Sequence, residues 1–148
     1  MTELRTDEIT AEQIMTSAET VATVSENATV GQALELLSQA DFRHLPVVNR
    51  QREVVGILSD RDFQRIGVSP FDTHPTSDKV RARLDMRVTA LMTGGVSVVD
   101  LSASLSDVID LLLEAKIGAV PVVDEDTNQL AGIVSYVDVL RAIREELT

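Results

Sequence analysis

The stretch Gly56-Ile-Leu-Ser-Asp-Arg-Asp-Phe63, "GILSDRDF", has a counterpart at Gly132-Ile-Val-Ser-Tyr-Val-Asp-Val139, "GIVSYVDV". Both read Gly-apolar-apolar-Ser-x-x-Asp-apolar. Outward from this motif, two more landmarks repeat in the same order. "IMT" at Ile14–Thr16 returns as "LMT" at Leu91–Thr93, and "HLPVVN" at His44–Asn49 returns as "AVPVVD" at Ala119–Asp124. The offsets from Ile14 to Leu91, from Pro46 to Pro121 and from Ser59 to Ser135 are 77, 75 and 76 residues. Ordered landmarks at nearly constant spacing indicate two copies of one unit.

Each copy carries the same pattern of elements. A short apolar strand is expected around Thr20–Val24 and again at Val96–Val99. A helix follows, opened by Thr29-Val-Gly-Gln32 or Ser104-Leu-Ser-Asp107, which have the form of capping boxes. Behind them Val30, Ala33, Leu34 and Leu37 share one helical stripe, as do Leu105, Val108, Ile109 and Leu112, so both helices should face a core. A strand over Leu45–Val48 or Val120–Val123, a polar turn and a strand over Val54–Leu58 or Leu130–Val134 come next. The one-residue difference in spacing falls in the turn. A helix starting at Ser-x-x-Asp closes each copy. The unit is β-α-β-β-α in an α/β (α+β) chain, with residues 8–66 as the first repeat, 67–87 as a linker and 88–147 as the second. One such unit is marginal alone, and two can bury their sheets against each other with pseudo-twofold symmetry. The linker carries Pro70, Pro75 and the run "KVRARLDMR" from Lys79 to Arg87, and should lie on the surface with one helical turn. Its four cations suit either a solvated face or an anion.

Composition narrows the function. The 148 residues are 44% apolar, enough for one ordinary domain or two very small ones, and no apolar run approaches a membrane span. The first ten residues, "MTELRTDEIT", are polar and acidic, unlike a secretory signal, and there is no cysteine, so a cytoplasmic protein is expected. A net charge of -11 argues against nucleic acid or an anionic membrane as partner. A small anion in a locally basic pocket remains compatible with that charge, and 11 of the 13 cations are arginine, whose planar fork suits phosphate.

The repeated Ser-x-x-Asp supports two readings. A serine opening a helix leaves its hydroxyl and the free first-turn N–H groups beside any bound phosphate, while the aspartate can accept from the vicinal hydroxyls of a ribose. Alternatively Ser59 and Ser135 are only caps, and Asp62 and Asp138 only answer the helix dipole.

The repeat, the "PVV" strand and the "GILSDRD"/"GIVSYVD" junctions resemble a tandem pair of CBS domains, the arrangement called a Bateman module. The resemblance runs from about Ala11 to Leu147. It implies a stand-alone regulatory protein rather than an enzyme. Its ligand would be an adenosyl compound (AMP, ADP, ATP or S-adenosylmethionine) held in clefts between the copies, with magnesium able to accompany ATP. By that similarity Asp62 and Asp138 bind ribose, Ser59 and Ser135 lie near phosphate, and Val21 and Val96 flank adenine. Leu45, Pro46, Ala119, Val120 and Pro121 line the ligand, and Arg43 and His44 stand where the family often places phosphate contacts. The copies differ, because the second has Gly118 and Ala119 before its proline and Tyr136-Val137 where the first has Asp60-Arg61. The cleft of Arg43, His44, Ser59, Arg61 and Asp62 should therefore be the phosphate-binding one, and His74 in the linker should be solvated.

Rival readings follow from the same residues. Asp60, Asp62 and Asp138 could be metal-binding carboxylates of an enzyme, but the side chains of Asp60 and Asp62 diverge and no nucleophile–base pair accompanies them. A dimerising or partner-binding scaffold is the stronger alternative. The C-terminal "YVDVLRAIREEL" carries Val137, Leu140, Ile143 and Leu147 as an apolar stripe, and such helices in the resembled family commonly form homodimers. Any further protein partner is not written in the chain.

Overall fold

A computed structural model describes residues 6–39, 43–68, 77–115 and 117–147. They fall into two compact units, and these units are not the sequence repeats. One unit joins Met1–Val21 to Ser97–Thr148, and the other is Ala22–Val96. Each contains a four-stranded sheet covered by helices.

In the Ala22–Val96 unit, β2 (Val24–Ser25) runs parallel to β3 (His44–Val48), β3 is antiparallel to β4 (Val54–Ser59), and β4 is antiparallel to β5 (Thr93–Gly94). The other unit repeats this order with β6 (Val99–Asp100), β7 (Ala119–Val123), β8 (Leu130–Ser135) and β1 (Thr16–Ser17). The register of β3 on β4 shifts at Val47/Val48, and that of β7 on β8 shifts at Val122/Val123, so both hairpins carry an irregularity at the same place. Their turns close by Asn49 N–H to the Glu53 carbonyl and by Asp124 N–H to the Gln129 carbonyl, and the one-residue difference between the copies sits there.

The helices begin where the caps are. Thr29 and Gln32 form a reciprocal box ahead of α2 (Val30–Gln39), with Thr29 N–H donating to Gln32 Oε1 at 2.9 Å and Gln32 N–H to Thr29 Oγ1 at 3.2 Å. Ahead of α5 (Leu105–Ala115), Ser104 Oγ accepts from the Asp107 N–H at 3.1 Å. Val30, Ala33, Leu34 and Leu37 then bury against Leu45, Val47, Leu58 and Phe63, and Leu105, Val108 and Leu112 bury against Val120, Val122 and Val134. Packing of these apolar stripes supplies most of the stability of such short helices.

Two local expectations are corrected, and one element is added. The strands placed at Thr20–Val24 and Val96–Val99 are two-residue strands at Val24–Ser25 and Val99–Asp100, because the chain turns at Ser17–Val21 before reaching β2 and bends toward α5 just after β6. The linker holds more than one turn: α4 (Asp78–Leu84) is a seven-residue helix packed on α2. The Leu84 carbonyl lies 3.3 Å from where a Cβ on Gly31 would stand. The added element is α1 (Ala11–Ile14), which precedes the "MT" of the first copy and has its own box, Thr10 N–H to Gln13 Oε1 at 2.9 Å. His74 lies outside the described residues.

The glycine of each repeated motif is explained by what crosses it. Built on Gly132, a Cβ would stand 2.5 Å from the Thr16 carbonyl oxygen and 2.6 Å from Met15 Sδ. On Gly56 it would stand 2.4 Å from Met92 Sδ and 2.9 Å from the Thr93 carbonyl oxygen. Each glycine therefore admits a Met-Thr segment, and each admits the segment of the other sequence repeat.

Candidate functional site

The two candidate sites are the strand-to-helix junctions. In the Ala22–Val96 unit β4 ends at Ser59, which caps α3 (Asp60–Arg65). In the other unit β8 ends at Ser135 ahead of α6 (Tyr136–Leu147). A polar residue is tolerated there because the strand leaves the core and the helix presents free N–H groups.

Each aspartate faces back to its own serine. Asp62 Oδ2 accepts the Ser59 N–H at 2.8 Å and the Ser59 hydroxyl at 3.3 Å. Asp138 Oδ2 accepts the Ser135 N–H at 2.8 Å and its hydroxyl at 3.0 Å, and the Asp138 N–H reaches Ser135 Oγ at 3.4 Å. Among the described residues these two are the buried charged side chains, at 6% and 7% exposure. Burial of a carboxylate is tolerable because it is hydrogen-bonded and paired. The helix cap thus occupies Oδ2 of each aspartate and leaves Oδ1 directed elsewhere.

Oδ1 finds partners that the sequence reading did not single out. Arg65 Nη2 contacts Asp62 Oδ1, and Arg141 Nη1 stands 3.6 Å from Asp138 Oδ1. Thr16 Oγ1 donates to Asp138 Oδ1 at 3.4 Å. The arginines were findable, since both junctions read Asp-x-x-Arg and residues three apart on a helix are neighbours. Thr16 lies 122 positions from Asp138 and had no local signal.

The remaining predicted residues divide by unit. Arg43, His44, Leu45, Pro46, Ser59, Arg61, Asp62 and Val96 belong to Ala22–Val96. Val21, Ala119, Val120, Pro121, Ser135 and Asp138 belong to the other unit. Val21 therefore shares a unit with Asp138, and Val96 with Asp62, the reverse of their order in the repeats. His44 pairs with Ser59 across β3–β4, and Ala119 with Ser135 across β7–β8. The Asp60 N–H donates to the Arg43 carbonyl and the Tyr136 N–H to the Gly118 carbonyl, both at 3.3 Å, so residue 43 or 118 sits at the mouth of its junction. That position bears a guanidinium in one copy and no side chain in the other. Leu45 and Val120 are fully buried in their cores, which leaves their backbone rather than their side chains for any ligand.

Burial favours the neutral form of His44. Burial lowers its pKa below the ordinary 6.5, with Arg43 and Arg61 pushing the same way and Asp60 and Asp62 opposing. Besides Arg65, which is paired with Asp62, the cations at this junction are Arg43 and Arg61, both exposed. The linker cations are partly engaged, since Arg83 Nη1 donates to the Ile66 carbonyl at 2.7 Å and Arg87 Nη1 to Asn27 Oδ1 at 3.2 Å. A groove of about 340 Å3 beside α2, lined by Thr23, Ser25, Gln32 and Leu36 among others, contains none of the predicted residues. Among the described residues no cluster of three His, Asp or Glu could hold a metal ion, and no helix is long and apolar enough to cross a membrane.

Comparison with known proteins finds one domain family twice in the sequence. The family model for the CBS domain matches residues 11–68 and again 88–145. The chloroplastic CBS domain-containing proteins CBSX1 and CBSX2 of Arabidopsis thaliana are 29% and 33% identical over 150 residues, 90% of this chain in each case. The chain spans 63% of the length of each. A crystal structure of CBSX2 in complex with AMP superposes with a TM-score of 0.78 at 31% identity, covering 95% of this chain and 99% of that one.

Proposed function

The chain belongs to the CBS domain family, with two copies of the domain in tandem, and we propose that it is a regulatory module that binds an adenosyl nucleotide of the AMP, ADP or ATP class. The observation that carries this reading is the pair of buried aspartates whose Oδ2 is held by the helix cap and whose Oδ1 is offered to exchangeable donors. A carboxylate fixed in this way is pre-organised to accept the two hydroxyls of a ribose. That CBSX2, a relative of similar build, has a structure in complex with AMP supports the ligand class.

In this reading Asp62 and Asp138 receive ribose, Ser59 and Ser135 lie beside phosphate, and Val21 and Val96 contact adenine. Backbone groups of Leu45, Pro46, Ala119, Val120 and Pro121 line the ligand. Arg43 and Arg61 make the first junction the one that prefers a phosphorylated nucleotide, with His44 as a neutral hydrogen-bonding neighbour and magnesium arriving only with ATP. The output is a shift of conformational equilibrium read by a protein partner, not a chemical reaction.

The test is a thermal-shift and calorimetric panel of AMP, ADP, ATP, S-adenosylmethionine, adenosine and GTP. Ligand at about a hundredfold above Kd stabilises the native state by roughly 2.7 kcal/mol. A shift with one adenosyl compound and none with GTP is expected, and a flat response to the whole panel would overturn the reading. A scaffold role has one observation in its favour: Val137, Leu140 and Leu147 on α6 are 60%, 65% and 63% exposed while Val139 and Ala142 face the core. A homodimer through α6 fits either reading, and sedimentation of the chain with and without Leu140→Glu tests it.

A further inference from the structure

The outward oxygen of each junction carboxylate is paired with an arginine of the chain three residues on, by direct hydrogen bond at Asp62 and as an ion pair at 3.6 Å at Asp138. A carboxylate offers about four acceptor directions, two on each oxygen. Oδ2 of Asp62 and of Asp138 accepts both a serine N–H and a serine hydroxyl. With both directions on Oδ2 taken, a vicinal diol approaches such a group by placing its hydroxyls on Oδ1. That oxygen is the one facing Arg65 in one copy and Arg141 in the other. Both arginine side chains are 65% exposed, so leaving the carboxylate returns them to water at small cost.

Resting on the nucleotide reading of these junctions, we propose that Arg65 and Arg141 are internal competitors of the ligand's ribose, occupying the aspartate Oδ1 until the diol displaces them. They are positioning residues that set affinity, and they act on the sugar rather than on the phosphate. Their place on the first turn and a half of the helix, three residues after the aspartate, keeps the carboxylate pointed outward while it is held. At Asp138 the Thr16 hydroxyl is a second donor to the same oxygen, so displacement there involves two partners.

Calorimetric titration of the full chain with adenosine and with AMP, at low and high salt, tests this. The variants are Arg65→Ala, Arg141→Ala and the charge-conserving Arg65→Lys, each checked for an unchanged far-UV spectrum. Arg65→Ala should bind adenosine about two- to fivefold more tightly than the parent, the span expected for losing an exposed ion pair. Arg65→Lys should return most of the way to the parent value, and high salt should narrow the gap between parent and Arg65→Ala. Adenosine affinity that is unchanged or weaker in Arg65→Ala would overturn the proposal. AMP weakened while adenosine is untouched would also overturn it, by making Arg65 a phosphate contact. Failure of the underlying reading has a separate signature, in which the parent chain itself binds neither adenosine nor AMP.

Discussion

Replacing Gly132 by alanine should loosen the segment that brings Thr16 to Asp138. The new Cβ would stand 2.5 Å from the Thr16 carbonyl oxygen, against main chain that cannot swing aside as the end of a side chain can. It would also meet Met15 Sδ at 2.6 Å, though a thioether can move. Relief requires β1 to withdraw from β8, and Thr16 pairs with Ile133 and Ser17 with Gly132 in that ladder. Overpacking of this kind costs about 1–3 kcal/mol, and a lost backbone hydrogen bond adds about 1 kcal/mol. The sum, about 2–4 kcal/mol, corresponds to a fall in Tm of roughly 4–16 °C for a chain of this size. Urea and thermal unfolding followed by circular dichroism would read it. Gly94→Ala is the control, since its nearest neighbour would be the Val55 carbonyl oxygen at 4.0 Å, and it should change stability by less than about 0.5 kcal/mol. Equal stability of Gly132→Ala and Gly94→Ala would refute the argument that the motif glycine is there to admit the crossing segment.

Asp62→Asn keeps an oxygen for the Ser59 N–H but offers an amide to ribose, so AMP affinity should fall about ten- to hundredfold, and by more than in Asp138→Asn; titration calorimetry with equal losses would remove the asymmetry between the junctions. Arg43→Ala should weaken AMP by about tenfold and leave adenosine unchanged, and a parallel loss of adenosine would show Arg43 to be structural. His44 gives a pH signature. Its folded pKa lies below the unfolded 6.5, so between the two the unfolded chain binds more protons. The stability this contributes is complete above pH 6.5 and is lost as pH falls through the folded value. Urea midpoints from pH 5 to 7.5 should therefore fall less steeply toward acid in His44→Gln than in the parent, and identical slopes would contradict the burial assigned to His44.

Much of the site was legible because its bonds are local. Ser59 with Asp62, Ser135 with Asp138 and Thr29 with Gln32 are all three residues apart, and a helix start brings such pairs together whatever surrounds them. The same rule made Asp62–Arg65 and Asp138–Arg141 available to sequence reading, three residues beyond the pairs that the caps require. His44 was visible as a basic-type residue beside the junction, but its neutral state depends on burial, which no neighbour in the chain announces.

The sequence by itself determined the duplication, the central helix and hairpin of each copy, the caps that start the helices and the apolar stripes that build two cores. These depend on periodicity and on contacts within one turn of helix or one hairpin. Tertiary structure alone decided the exchange of the Met-Thr segments, by which Thr16 reaches Asp138 and Gly132 while Thr93 lies on Gly56. The physical reason lies in the repeat itself. Two nearly identical sheets offer each segment the same ladder and the same glycine gap, so local pattern is indifferent between them. Only the path of the chain from β1 onward selects the more distant partner.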